Sequence, residues 1–255
     1  MMTRNLLLSL GVSALGLAFT PFGASAFTIV GELSETEFQN LAPEISLSAE
    51  SRFGSGTIGG NTFELDIHKV NASGGFTNLD QKEFNWVSGE AVDFLLEFDG
   101  ISQLTYTVGE VVLSSTVTED NFSDLFLRTS ARKDNSSIVL SNLMLTDSAM
   151  SASLPDASNV CSNPNDCGFF DAQYLHISNV LGAFSLTGQS TMTWSEENRP
   201  TQSRLAYQVK LVAGEPGDKP PVDVPEPATM SVFSLGVIGL VLTGSRRRHQ
   251  LGVQQ

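Results

Sequence analysis

Histidine is scarce in this chain, three in 255 residues, and cysteine and tryptophan occur twice each. His249 lies in a basic tail, so a His-dependent triad has only His68 and His176 as candidate bases. No Gly-x-Ser-x-Gly elbow supplies a nucleophile for either of them. Two cysteines are too few for an all-cysteine zinc site, and only His176 lies near them in sequence. Cations are short as well: Lys+Arg total 14 against 28 Asp+Glu, a net charge of −14. Within residues 27–215 the counts are nine and 25, a net charge of −16. Nucleic-acid binding needs clustered Lys and Arg, so no nucleic-acid partner is expected. The same charge repels anionic lipid headgroups. No internal repeat suggests a solenoid or propeller.

The ends of the chain are more informative. Arg4 precedes an apolar run from Leu6 to Phe19, then Pro21 and Gly23, and Ala24-Ser25-Ala26 supplies a small-x-small cleavage site. Residues 1–26 therefore read as a secretory signal helix, with Phe27 the first mature residue. Residues 216–227 turn to Pro, Gly, Asp and Val, which is linker composition. An apolar segment follows over 228–245, at the short end for a bilayer-spanning helix, and 246–255 opens with Arg246, Arg247 and Arg248. Those arginines are expected to stay cytoplasmic, leaving the domain outside.

Between the ends, residues 27–215 suit one domain with an ample core. The fold class expected is all-β, a jelly-roll-like antiparallel β-sandwich. In Val92-Asp93-Phe94-Leu95-Leu96-Glu97-Phe98 the apolar residues alternate with Asp93 and Glu97. Asp99-Gly100 follows, and then Leu104, Tyr106 and Val108 alternate with threonines. A two-residue turn would throw the two apolar sets onto opposite faces, so a three-residue loop or a bulge is expected, pairing Phe98 with Ser102. Further strands are expected at 62–68, 111–117, 125–129, 137–145, 174–177, 183–186, 190–194 and 205–211. A helix is expected within 32–41 behind Ser34 as N-cap, and a single helical turn at 121–126. Cys161 and Cys167 enclose a short turn-forming segment, which in an exported protein reads as a disulfide.

Pro225-Glu226-Pro227, the apolar run behind it and the Arg246-Arg247-Arg248 cluster resemble, in that order, the PEP-CTERM sorting signal of exported bacterial proteins. The resemblance implies recognition, with cleavage near the Pro-Glu-Pro, by an exosortase-type membrane enzyme. A plain single-pass anchor is the alternative. Trp86-Val87-Ser88-Gly89-Glu90, the 94–98 strand, Asp124-Leu125-Phe126-Leu127-Arg128, residues 136–143 and residues 203–210 resemble the choice-of-anchor domains, the W type most closely. That resemblance implies surface display and carries no catalytic residues.

Candidate chemistry inside the domain is thin. Glu64, Asp66 and His68 share one face of a strand as three alternating ligand types, but alternation alone also produces a solvated face, and that is the expectation. Asp120-Asn121 with Asp124, and the segment 159–171, are oxygen-rich loops where calcium is a candidate, although neither has EF-hand order. No other cofactor or metal is expected. Trp86 and Trp194 are the candidate contacts for a glycan, with burial in a sandwich core the competing reading. Two functions follow. The first is an exported, non-catalytic protein of the cell surface or extracellular matrix, associated with exopolysaccharide or adhesion. The second is a secreted polysaccharide hydrolase working through a carboxylate pair.

Overall fold

The computed structural model describes residues 27–54, 64–71, 75–163, 167–168, 171–180 and 182–214. The signal segment, the linker with Pro225, Glu226 and Pro227, the apolar run and Arg246, Arg247 and Arg248 all lie outside them. Among the described residues no helix is long and apolar enough to cross a membrane.

Strand is the dominant element, as a Ser/Thr-rich chain with alternating apolar positions should give. In chain order the elements are β1 (Thr28–Ser34), α1 (Glu35–Leu41), β2 (Ile45–Phe53), β3 (Leu65–Val70), β4 (Phe76–Lys82), β5 (Ala91–Phe98), β6 (Gln103–Val108) and β7 (Val111–Thr116). They continue with β8 (Phe122–Ala131), β9 (Ser136–Asp147), β10 (Ser151–Ser153), β11 (Ala157–Cys161), β12 (Ala172–Ser178), β13 (Phe184–Thr193) and β14 (Leu205–Ala213). The first sheet has the order β1-β12-β8-β14-β2-β3-β4 and the second β10-β9-β13-β5-β6-β7, with β11 also paired to β9. Every pairing is antiparallel.

The sheets share one apolar core, because each strand sends its alternate residues to the same side. Leu205, Tyr207, Val209 and Leu211 of β14 face Phe94, Leu96, Leu104 and Tyr106 of the second sheet within that core. Tyr207 and Phe94 meet with ring centroids 5.3 Å apart. Ser51 and Tyr106 join the sheets through a buried hydroxyl–hydroxyl hydrogen bond of 2.7 Å. The disulfide Cys161–Cys167 closes the end of β11, with Cα atoms 5.5 Å apart.

Several expectations shift in detail. The β5–β6 hairpin does have a three-residue loop, Gly100, Ile101 and Ser102, but Phe98 pairs with Leu104 and not with Ser102. Asp99 is the cause: its Oδ1 accepts the backbone N–H of Ile101, Ser102 and Gln103, which holds the loop further along. The strands expected at 183–186 and 190–194 are one strand, β13. Gly188 divides them in sequence because it sits at a bulge, between Thr187 and Gln189, where a Cβ would lie 2.6 Å from Leu143 Cδ2. Of residues 121–126, expected as a helical turn, all but Asn121 form the start of β8, where Phe122 and Leu125 reach the core.

The helix is present and shorter than its apolar spacing suggested. Ser34 is the N-cap of α1: its backbone N–H donates to Glu37 Oε2 (2.7 Å), and the Glu37 N–H donates to Ser34 Oγ (3.3 Å). α1 lies on the outer face of the first sheet, where Phe38 stacks on Tyr174 (4.0 Å) and meets Phe126 edge-on (5.2 Å). That satellite cluster, with Ala172 and Val212, is an apolar contact separate from the main core.

Candidate functional site

The outer face of the first sheet is where the polar side chains collect. β2 offers Ser48, Glu50 and Arg52 on that side, and β3 offers Asp66 and His68, because the inward positions are taken by Leu47, Ala49, Leu65 and Ile67. Register places Glu50 opposite Asp66 and Ser48 opposite His68. Arg52 donates to Glu50 Oε2 (2.7 Å) and pairs with Asp66 Oδ2 (2.5 Å). His68 Nδ1 donates to Asp66 Oδ1 (2.7 Å). Asp66 is only 2 % exposed, and Glu50 and His68 are buried beside it. The expected solvated face at Asp66 and His68 is therefore a correction: the positions alternate as read, but both residues are buried in an ion network. Glu50 and Arg52, from a strand that sequence patterning does not reveal, complete it.

A second buried histidine–carboxylate pair lies three strands away. His176 Nε2 donates to Asp124 Oδ1 (2.8 Å), and Ser123 Oγ donates to Asp124 Oδ2 (2.7 Å). The imidazole stacks on Phe126 at 4.2 Å. This is not a triad, since the serine bonds the carboxylate and not the imidazole. Both Asp124 oxygens are engaged, while Asp120, its proposed companion for calcium, is exposed. In the other oxygen-rich loop, Asn159 accepts the Ala131 N–H and donates to the Asp171 carbonyl, so it ties strands together.

Between the two pairs, β14 sets Lys210 opposite Ser48 on one side and Phe126 on the other. Burial pushes its ammonium down to about 8, helped by the Arg128 charge and opposed by Glu50 and Glu35. Arg128 Nε donates to Tyr174 OH, which donates in turn to Glu35 Oε2 (2.8 Å). Burial raises the Tyr174 hydroxyl far above the ordinary phenol range.

The two tryptophans are core residues. Trp86 and Trp194 are 4 % and 7 % exposed; Trp194 stacks on Phe53 (4.1 Å) and Trp86 packs on Phe84 (4.6 Å). Neither offers a glycan a surface ring, and the bulk of an indole explains why the core claims both. Two shallow grooves mark the outer face of the second sheet. One, of about 370 Å³, holds Asp93, Asn142 and Gln189; the Asn142 amide donates to Gln189 Oε1 (2.8 Å), and Gln189 Nε2 donates to Asp93 Oδ1 (2.9 Å). The other holds Glu97, Asp99 and Asp147, of which Asp99 and Asp147 accept the backbone N–H groups of their own turns.

Residues 223–248 match the family model for the PEP-CTERM protein-sorting motif. No curated protein matches the chain. The match spans Pro225, Glu226 and Pro227, the apolar run and the three arginines, all in the tail. A PEP-CTERM motif marks an exported protein, held transiently at the membrane and sorted by an exosortase. The matched segment carries the targeting chemistry, and the polar network on β2 and β3 is separate from it.

Proposed function

We propose that this chain is an exported protein of the cell surface or extracellular matrix whose sandwich domain works without catalysis, as a displayed binding or spacing module. The observation that carries the reading is the PEP-CTERM match at 223–248 behind a domain that opens one residue after a signal-type cleavage site. The apolar tail holds the folded domain outside the membrane, and an exosortase-type enzyme cuts near Pro225-Glu226-Pro227 and releases it. The choice-of-anchor resemblance belongs to the same reading, since those domains share a body and differ in their tails. Association with exopolysaccharide then falls to the hydroxyl- and amide-bearing outer face of the second sheet, because Trp86 and Trp194 are buried.

A hydrolase would need two carboxylates converging in a cleft. Among the described residues, Asp99 and Asp147 in the acidic groove instead cap turns, and the hydrogen bonds to Asp99 hold its carboxyl below the usual range. That supports the non-catalytic reading.

The test is the intact mass of the exported protein from wild-type cells and from cells lacking the processing enzyme. Loss of the residues beyond the Pro-Glu-Pro in the first strain, and their retention in the second, is the expected result. An unaltered C-terminus in both strains leaves a plain anchor.

A further inference from the structure

We propose that Glu50, Asp66 and His68 form a binding site for a first-row divalent metal ion of the zinc or manganese type, on the outer face of the β2–β3 pair. Each residue offers one ligand atom, and those atoms lie within 4.8 Å of one another. All three are buried, so the cluster is not a chance meeting of mobile surface acids. His68 Nδ1 and Asp66 Oδ1 stand 2.7 Å apart. Two donors at about 2.1 Å from one tetrahedral ion lie about 3.4 Å apart, so this hydrogen-bonded pair has to open by less than about 1 Å to take the ion between them.

Arg52 supports the site from behind. It holds Glu50 by Oε2 and Asp66 by Oδ2, which leaves Glu50 Oε1 for the ion. Asp66 Oδ1 and His68 Nδ1 become ligands when the ion displaces the proton they share, which passes to water. Ligating carboxylates are normally held in this way by a second layer of donors.

A second, independent observation points to the same spot. Ser48 is fully buried, and its hydroxyl has no hydrogen-bond partner among the described residues. It sits opposite His68 in register and shares its face. A buried hydroxyl left without a partner destabilises the fold, and the ion or a water bound to it removes that cost. The donor set names the metal class: an imidazole with two carboxylates suits zinc or manganese, while calcium takes oxygen ligands. Bound there, the ion ties the β3–β4 hairpin to the body of the first sheet.

The experiment uses the exported, processed protein, freed of metal by a chelator and titrated with zinc, manganese or calcium chloride alone. The expected result is one equivalent of zinc or manganese retained after desalting, measured by elemental mass spectrometry, and a thermal midpoint that rises and saturates with that metal. Glu50→Gln and His68→Ala should each weaken retention at least tenfold. His176→Ala, which removes the other buried imidazole, should leave it unchanged. Should Glu50→Gln and His68→Ala fail to fold, cobalt binding to the wild type decides the matter, since visible bands of a site with a nitrogen donor are expected. Failure to retain zinc or manganese, a shift with calcium only, retention by the folded Glu50→Gln and His68→Ala proteins, or absence of cobalt bands would each overturn the proposal.

Discussion

At position 210 the chain half-buries a lysine in the middle of a seven-stranded sheet, and the consequence is a defined pH dependence. Its ordinary value is 10.5, and in the fold it falls to about 8. Between those values the unfolded chain holds the proton that the folded chain has released, so stability rises with pH across that window. Below about 8 both states are protonated, and the full cost of burying the charge is present. Tyr106, Tyr174 and Tyr207 act in the opposite sense at higher pH, because burial keeps their hydroxyls protonated after those of the unfolded chain ionise near 10. They contribute no pH dependence while the unfolded hydroxyls stay protonated, and above that they lower stability as pH rises. Chemical denaturation of metal-free protein from pH 7 to 11 should therefore show stability climbing from about 8, peaking near 10 and then falling. Lys210→Met should flatten the climb and stabilise the domain at pH 7 by about 1–3 kcal/mol. An unchanged profile in that variant would assign the slope to another group.

Single residues also show where the sequence misleads. Asp66 and His68 look like a solvated face because their partners are distant in sequence: Glu50 is on another strand, and Arg52 carries no local mark of an ion pair. His176 looks partnerless for the same reason, since Asp124 lies 52 positions away.

Elements differ in how openly they declare themselves. β5 and β14 carry large apolar residues at every second position, so their period and face are legible in the sequence alone. β2 is not legible in this way, because its inward row runs through Ala49 and Ser51 and its outward row through Ser48, Glu50 and Arg52. Small inward residues give too little contrast for alternation to show. β4 is hidden as well; its residues are mostly polar and largely exposed, its two large apolar side chains, Phe76 and Leu79, included. Its place comes from pairing with β3 and from Asp80, which accepts the Ser114 N–H of β7 (2.9 Å). α1 is legible through its cap, and that makes it testable. Ser34→Ala removes one half of the capping box and should cost about 1 kcal/mol. Hydrogen exchange should speed up in α1 while the central strands β8 and β14 keep their protection. Equal acceleration in those strands would mean that the helix is coupled to the whole fold.

For the whole molecule, charge and chain direction matter most. Residues 27–215 carry a net charge of −16, and nine cations cannot pair with 25 acids. Self-repulsion of this size is screened by salt. Raising sodium chloride from about 0.02 to about 0.5 M should lift the thermal midpoint by roughly 2–4 °C for each kcal/mol of repulsion relieved. A midpoint that falls would show that attractive surface pairs outweigh the repulsion. Register also puts the start of β1 and the end of β14 at the same end of the first sheet: Thr28 pairs with Ser178, Ser178 with Asp124, and Asp124 with Val212. Phe76 and Ile101, 69 % and 73 % exposed, lie at or beside turns at that end.

By itself the sequence determined what depends on near neighbours: the alternation of the strongest strands, the Ser34 cap, the short Cys161–Cys167 bridge and the three-part sorting tail. Each is a pattern of residues a few positions apart, acting through local geometry or read by an enzyme as a linear signal. Only the tertiary structure decided which polar residues leave the solvent. Burial of Asp66 and His68 depends on β2 lying beside β3, and the place of Trp86 and Trp194 depends on where the two layers meet. Those are long-range contacts, formed when strands far apart in sequence pair and stack, and no short stretch of chain encodes them.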